Sequence, residues 1–227
     1  MGKTRTMEHF EISQKNSVLH IEGFPDAVKV ISIGGPLAKH LSDLALHKAD
    51  LEFADKSLDA INLAPEEPFE FREALWRSAI VHFLKCFGSS GARFQLSSKK
   101  ILKAEPPEAQ IVFDYFKNLR NKHLVHDENS YAQSIPGAIL NDGSKDYKIE
   151  KVVCLASIAV TLSQDNYSKL KRLIQQSYAW VIAEFDKLAD SITNDLEKES
   201  YEKLLSKEPM KYYVPSNDDI DKNRNLP

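Results

Sequence analysis

Leucine recurs every seven residues at Leu37, Leu44, Leu51 and Leu58. Seven residues is close to two turns of an α-helix, so these side chains fall on one stripe, with Leu41, Ala54 and Ile61 beside it. The spacing predicts one long amphipathic helix from Pro36 to about Leu63. Pro36 suits the first helical turn, and Pro65 and Pro68 forbid continuation. A helix of this length with one apolar face has to be covered by further elements.

Three more helices supply that cover. The second is predicted from about Phe69 to Phe87, turning Leu75, Trp76, Ala79, Ile80, Phe83 and Leu84 inward before Gly88-Ser89-Ser90-Gly91 ends it. Pro106-Pro107 opens the third, with Ala109, Val112, Phe113, Phe116 and Leu124 on one face. The last covers roughly Asp165 to Leu196, with Leu170, Leu173, Ile174 and Val181 inside, and Ser200 to Leu205 as a possible extension. Between the third and fourth, Ile135 to Leu140 and Tyr147 to Val153 flank Asn141-Asp142-Gly143-Ser144, which predicts a β-hairpin. Val152 to Leu162 is apolar, and periodicity leaves strand and short helix both open. The first fifteen or so residues read as a polar, mobile stretch, and Ser17 to Glu22 after them as a short strand. The fold class is mainly α, a four-helix bundle with a small β-hairpin insertion. Residues 1–34 form an N-terminal extension, 35–206 the helical domain and 207–227 a flexible tail low in apolar residues.

Composition excludes several classes. A net charge of -3 and a pI near 6.2 argue against a nonspecific nucleic-acid coat. No apolar run approaches the roughly 18 residues that span a bilayer, and the basic start lacks the apolar stretch of a secretory signal. Cys86 and Cys154 each lie in an apolar segment and are expected to be buried free thiols, in a reduced cytoplasmic setting. The glycine-rich phosphate loops, HExxH and CxxC are all missing. His40 and His47 have no third ligand at metal spacing and are expected at or near the surface. Neither metal nor cofactor is expected.

The run Leu119-Arg120-Asn121-Lys122-His123-Leu124-Val125-His126 breaks the apolar pattern of the third helix. Continued as an α-helix, it aims Arg120 and His123 at the middle of the buried face. A lone guanidinium there costs several kcal/mol, so Arg120 either pairs with Glu73, Asp114 or Asp127, or lines a cleft. On the second helix, Arg72, Glu73 and Arg77 are ordinary exposed charges or partners of this run.

Arg120-Asn121 followed, after five intervening residues, by His126 resembles the R-x(4–6)-H signature of the HEPN superfamily, including the polar residue after the arginine. The resemblance covers about Pro36 to Leu205. It implies a helical bundle with the signature at the end of a long helix. It also implies a metal-independent endoribonuclease of toxin–antitoxin, phage-defence or CRISPR-associated type. Other members are noncatalytic modules that bind RNA or protein. Under the enzyme reading, His126 is the general acid/base, Arg120 holds the phosphorane and Asn121 orients phosphate or histidine. His123 is the competing base, about 60° from Arg120 on a straight helix, against about 120° for His126. Lys122, together with Arg93, Lys99 and Lys100 of the lysine-rich connector, are candidate RNA contacts; a solvated loop is the plainer alternative for the connector. HEPN ribonucleases pair two motifs across a dimer, so a homodimer is implied, with RNA as substrate and an antitoxin or defence component as a possible partner. Some HEPN toxins carry a modifiable tyrosine two residues past the histidine. Here that position is Glu128, and the nearest tyrosine is Tyr131.

Overall fold

The structure is a computed structural model that describes residues 12–15, 18–21, 23–63, 66–89, 91–126, 128–210 and 216–222. It is mainly helical, with two small antiparallel hairpins. The chain packs as two compact units, one of residues 1–52, 86–96 and 176–227, the other of 53–85 and 97–175. The division runs through two long helices, α1 (Pro36–Leu63) and α5 (Gln164–Leu196). Among the described residues no helix is long and apolar enough to cross a membrane.

In the first unit, β1 (Ile12–Lys15) pairs antiparallel with β2 (Val18–Ile21), Ile12 opposite Ile21. The predicted mobile stretch therefore includes a strand, while residues 1–11 lie outside the described residues. The β-branched run after Ala27 makes no strand. It pairs instead with the start of the expected tail: the Ser32 amide donates to the Glu208 carbonyl (2.8 Å) and the Met210 amide to the Val30 carbonyl (2.9 Å). Lys29 Nζ donates to the carbonyl of Leu205 at 2.7 Å. Residues 207–210 are thus held in place. Residues 201–206 form a separate helix, capped by the Ser200 hydroxyl, which accepts from the Lys203 amide.

Leu44 and Leu51 of α1 are fully buried in this unit, whereas Leu37, first of the leucine series, is 47% exposed. Beside them Asp43, His47 and Asp50 are buried too, at helical spacings of four and three. They grip the connector at residues 93–94. The Phe94 amide donates to Asp43 Oδ2 (3.1 Å), His47 Nε2 lies 2.9 Å from the Phe94 carbonyl, and Arg93 pairs with Asp50 at 2.6 Å. The carbonyl can only accept, so Nε2 carries the proton. The His40 ring stacks on Phe94 with centroids 4.2 Å apart. His47, expected at or near the surface, is in fact wholly buried, because the connector folds back over it.

The second unit is organised around Trp76 of α2 (Phe69–Lys85). Its ring is wholly buried, meets Phe116 of α4 (Glu108–Leu119) edge-on at 5.9 Å, and its Nε1 donates to Thr161 Oγ1 at 3.0 Å. Phe83 of α2 meets Phe113 of α4 in the same manner at 6.0 Å. Ala54, Leu58 and Ile61 of α1 and Leu170, Leu173 and Ile174 of α5 complete the core. A short helix, α3 (Ser98–Ile101), interrupts the connector. On the polar side Lys171 bridges Asp55 (2.8 Å) and Asp59 (2.7 Å).

The expected hairpin is longer than its sequence signals. β3 (Ala132–Leu140) pairs with β4 (Ile149–Ile158), which takes up most of the apolar run left open between strand and helix. In its turn Gly143 has φ +81°, a conformation that favours glycine. The Asn141 and Asp142 side chains accept from the Gly143 and Ser144 amides. Cys86 is buried as expected, but Cys154 is exposed, because β4 lies open over nearly its whole length.

Burial lowers the pKa of His47 from 6.5 to about 4, outweighing the opposing pull of the Phe94 carbonyl. The unfolded chain, with the ordinary value, therefore binds the proton first as pH falls. The contribution of neutral His47 to stability is complete above pH 6.5 and drains away between 6.5 and 4, by about 3 kcal/mol. Chemical denaturation across this window should show the loss in wild type and a flatter profile in His47→Gln, whose amide still donates to Phe94 but does not titrate.

Candidate functional site

The aromatic face of α4 fixes where the Arg/His run begins. Phe113, Phe116 and Leu119 are buried, and Tyr115 lies edge-on to Phe116 at 5.1 Å. At Arg120 the helix does not stop or fray. It widens into a π-helical segment, Arg120–Val125, which packs against α2. In i→i+5 bonding, residues four and five apart become neighbours, in place of three and four. The α-helical spacing that would set His123 beside Arg120 no longer applies. Segments of this kind are rare and cluster at functional positions.

Arg120 is half-buried. Its Nη1 donates to Asn121 Oδ1 at 2.8 Å, while its Nε is buried with no partner among the described residues. Of the expected acidic partners, Glu73 accepts from Arg77 Nε at 2.8 Å and Asp114 accepts from Gln110. Asp127 lies outside the described residues. Among the described residues Arg120 makes no ion pair. Its charge is met by an amide oxygen from the next residue along.

His123 is only 6% exposed, and neither ring nitrogen has a hydrogen-bond partner among the described residues. Its ring lies edge-on to Tyr131, centroids 5.5 Å apart. Leaving such a group unsatisfied costs roughly 1–3 kcal/mol. The same condition recurs on α2, where Arg72 Nε and Glu73 Oε2 are buried without partners among the described residues. Glu73, read as an ordinary exposed charge, is buried. Most buried polar groups are satisfied, so this density of orphans on two packed elements is itself a signal.

His126 follows the π segment in extended conformation (φ -131°, ψ 135°) and is exposed. The Glu128 amide donates to the carbonyls of both Lys122 and His126 at 2.9 Å and so pins this exit. One segment and its exit thus carry Arg120, Asn121, an exposed Lys122, His123 and His126. Lys99 and Lys100 are exposed on α3, which packs against α4. Arg93, expected on a basic rim, is instead 9% exposed in its ion pair with Asp50 and belongs to the other unit. Its charge is already neutralised there.

Sequence reasoning overlooked Tyr131 as the ring against His123, and Tyr115 and Asn166 behind it. Asn166 Nδ2 donates to the Tyr115 hydroxyl (3.2 Å) and the Thr161 carbonyl (2.8 Å). Burial raises the Tyr115 pKa above its ordinary value, keeping the phenol neutral. No group of three or more His, Cys, Asp or Glu side chains among the described residues is disposed to hold a metal ion. Comparison with protein-family models, curated proteins and solved structures finds no match to this chain.

Chemically, the site offers one fixed cation, one accessible imidazole and one buried imidazole with open valences, within seven residues. Apolar replacement of the buried ring tests whether those valences are idle in the free protein. His123→Phe should leave stability unchanged or raise it by about 1 kcal/mol in urea denaturation, since a desolvated polar group is removed. A loss of about 2 kcal/mol or more would mean the nitrogens are engaged in solution.

Proposed function

We propose that this chain is a metal-independent endoribonuclease of HEPN type, a cytoplasmic toxin or phage-defence effector. Its four long helices would form the HEPN bundle, and two copies would complete one cleft. The observation that carries this reading is the π segment, where Arg120 and a buried, unpartnered His123 sit with Asn121 immediately ahead of an exposed His126. A fold under no functional demand would fill those positions with apolar side chains.

Cleavage in this scheme needs three things. His126 takes the proton of the ribose 2′-hydroxyl as that oxygen attacks phosphorus, an imidazole being suited to the exchange near neutral pH. Arg120 holds the extra negative charge of the pentacoordinate phosphorus with its forked donors. Asn121, bonded to Arg120 Nη1, sets the plane of the guanidinium. The bond from phosphorus to the 5′-oxygen then breaks, and that oxygen takes a proton from an imidazolium, leaving a 2′,3′-cyclic phosphate and a free 5′-hydroxyl. Lys122, Lys99 and Lys100 are placed to meet the RNA backbone. Exposure favours His126 over His123 as the group that exchanges protons with substrate.

Purified protein and a single-stranded RNA of mixed sequence test this. Arg120→Ala and His126→Ala should each slow single-turnover cleavage about 100-fold or more. Wild-type cleavage should survive excess EDTA, and either substitution should relieve growth arrest on overexpression. Wild-type rates in both variants, or loss of activity on chelation, would overturn the assignment. RNA retained without cleavage would identify a noncatalytic binding module.

A further inference from the structure

The hairpin β3–β4 follows the Arg/His run directly, and its base touches the site: the Ala159 amide donates to the Tyr131 carbonyl at 2.7 Å, and the Tyr131 ring meets His123. Beyond that base it leaves the core. Ile135, Leu140, Val152, Leu155 and Ile158 are each 62–71% exposed. The register puts Ile135, Leu155 and Val153 on one face, and Ala138, Val152 and Ile158 on the other. Both faces of the ribbon are therefore apolar, where a solvated hairpin keeps one face polar. From Ala132 to Leu140 and from Val152 to Ile158 there is no charged residue.

We infer that the hairpin is a dimerisation arm that pairs with the same arm of a second copy, β4 against β4, across a two-fold axis. Three observations select this occupant. Ile135, Ile139, Leu140, Ile149, Val152, Leu155 and Ile158 are 45–71% exposed on this one ribbon, a concentration of bare aliphatic side chains that marks an interaction surface, and a second copy brings a matching one. The loop and strand ends from Asn141 to Lys151 carry three acids and three lysines, with Lys145 paired to Glu150 at 2.6 Å. Such an arm neither repels its own copy nor attracts a polyanion, which disfavours RNA as its occupant. The edges also differ. Pro136 removes a donor from the middle of β3, whereas β4 carries an unbroken row of amides over ten residues. A β4 edge added to its own symmetry mate runs antiparallel, as a two-fold axis requires.

A two-fold axis sets one residue opposite its own mate, and centred on Cys154, next to the middle of β4, it brings the two exposed thiols face to face while Cys86 stays buried. This inference does not need the ribonuclease reading; it adds the means by which two Arg/His runs would be brought near one axis.

The test uses the whole chain at tens of micromolar. Light scattering after gel filtration should give twice 25.7 kDa for wild type and 25.7 kDa for Val152→Lys/Leu155→Lys, with the same helical circular dichroism. Mild oxidation with copper phenanthroline, which takes two electrons and two protons from a thiol pair, should yield a covalent dimer that Cys154→Ser abolishes. A monomeric wild type would overturn the inference, whether or not it binds lipid vesicles through the arm. So would a dimer that survives the double lysine variant. RNA cleavage by a strictly monomeric wild type would sink this inference together with the two-copy cleft but leave the chemistry of Arg120 and His126 standing, and an arm-mediated dimer without cleavage would sink only the ribonuclease reading.

Discussion

The Trp76 indole is the contact on which the second unit depends. Its ring packs edge-on against Phe116, and its Nε1 is satisfied by Thr161, so one side chain fixes α2, α4 and the segment that enters α5. Aromatic pairs of this geometry add about 0.5–1.5 kcal/mol to what burial alone supplies. The larger consequence is positional. With α4 locked through Phe113 and Phe116, the π segment beginning at Arg120 has no freedom to swing its polar atoms into water. The unsatisfied nitrogens of His123 and Arg120 are held in place by aromatic packing that lies before them in the chain.

Much of the helical framework was legible because its signals are redundant. Pro36, the leucine series and Pro65 agree on α1, and the structure gives Pro36–Leu63. The apolar spacing from Leu170 to Ile192 marks α5 equally well. What failed were inferences that depend on partners distant in the chain. Leu37 belongs to the stripe, yet the chain leaves about half of it in solvent. His47 reads as peripheral until the connector at Phe94 is seen to fold over it, and Cys154 reads as buried because apolar neighbours usually imply a core. The hairpin shows the limit: an apolar strand signals that something covers it, without saying whether that something is in the same chain.

The Arg/His run was found from residue types alone, since an arginine and a histidine interrupting an apolar face are visible in one dimension. Its geometry was not. Nothing in Arg120-Asn121-Lys122-His123 announces a widened helix, since neither proline nor glycine occurs there. The α-helical extrapolation that made His123 the nearer neighbour of Arg120 depends on a spacing the chain abandons at that residue. Arg93 was misplaced for a related reason: a basic connector looks solvent-facing when its acidic partner, Asp50, lies more than forty residues away on another element.

Val30, Ser32, Glu208 and Met210 join segments some 176 positions apart by two main-chain bonds, with the Lys29 ammonium as a third tie. None of these four residues is buried, so the bonds that join the two segments have little apolar packing behind them. Such a strap is expected to open at lower cost than the helical core behind it. Its amides should therefore trade hydrogen with solvent sooner than those in the middle of α1 and α5, and its release would free the chain end without unpacking either helix.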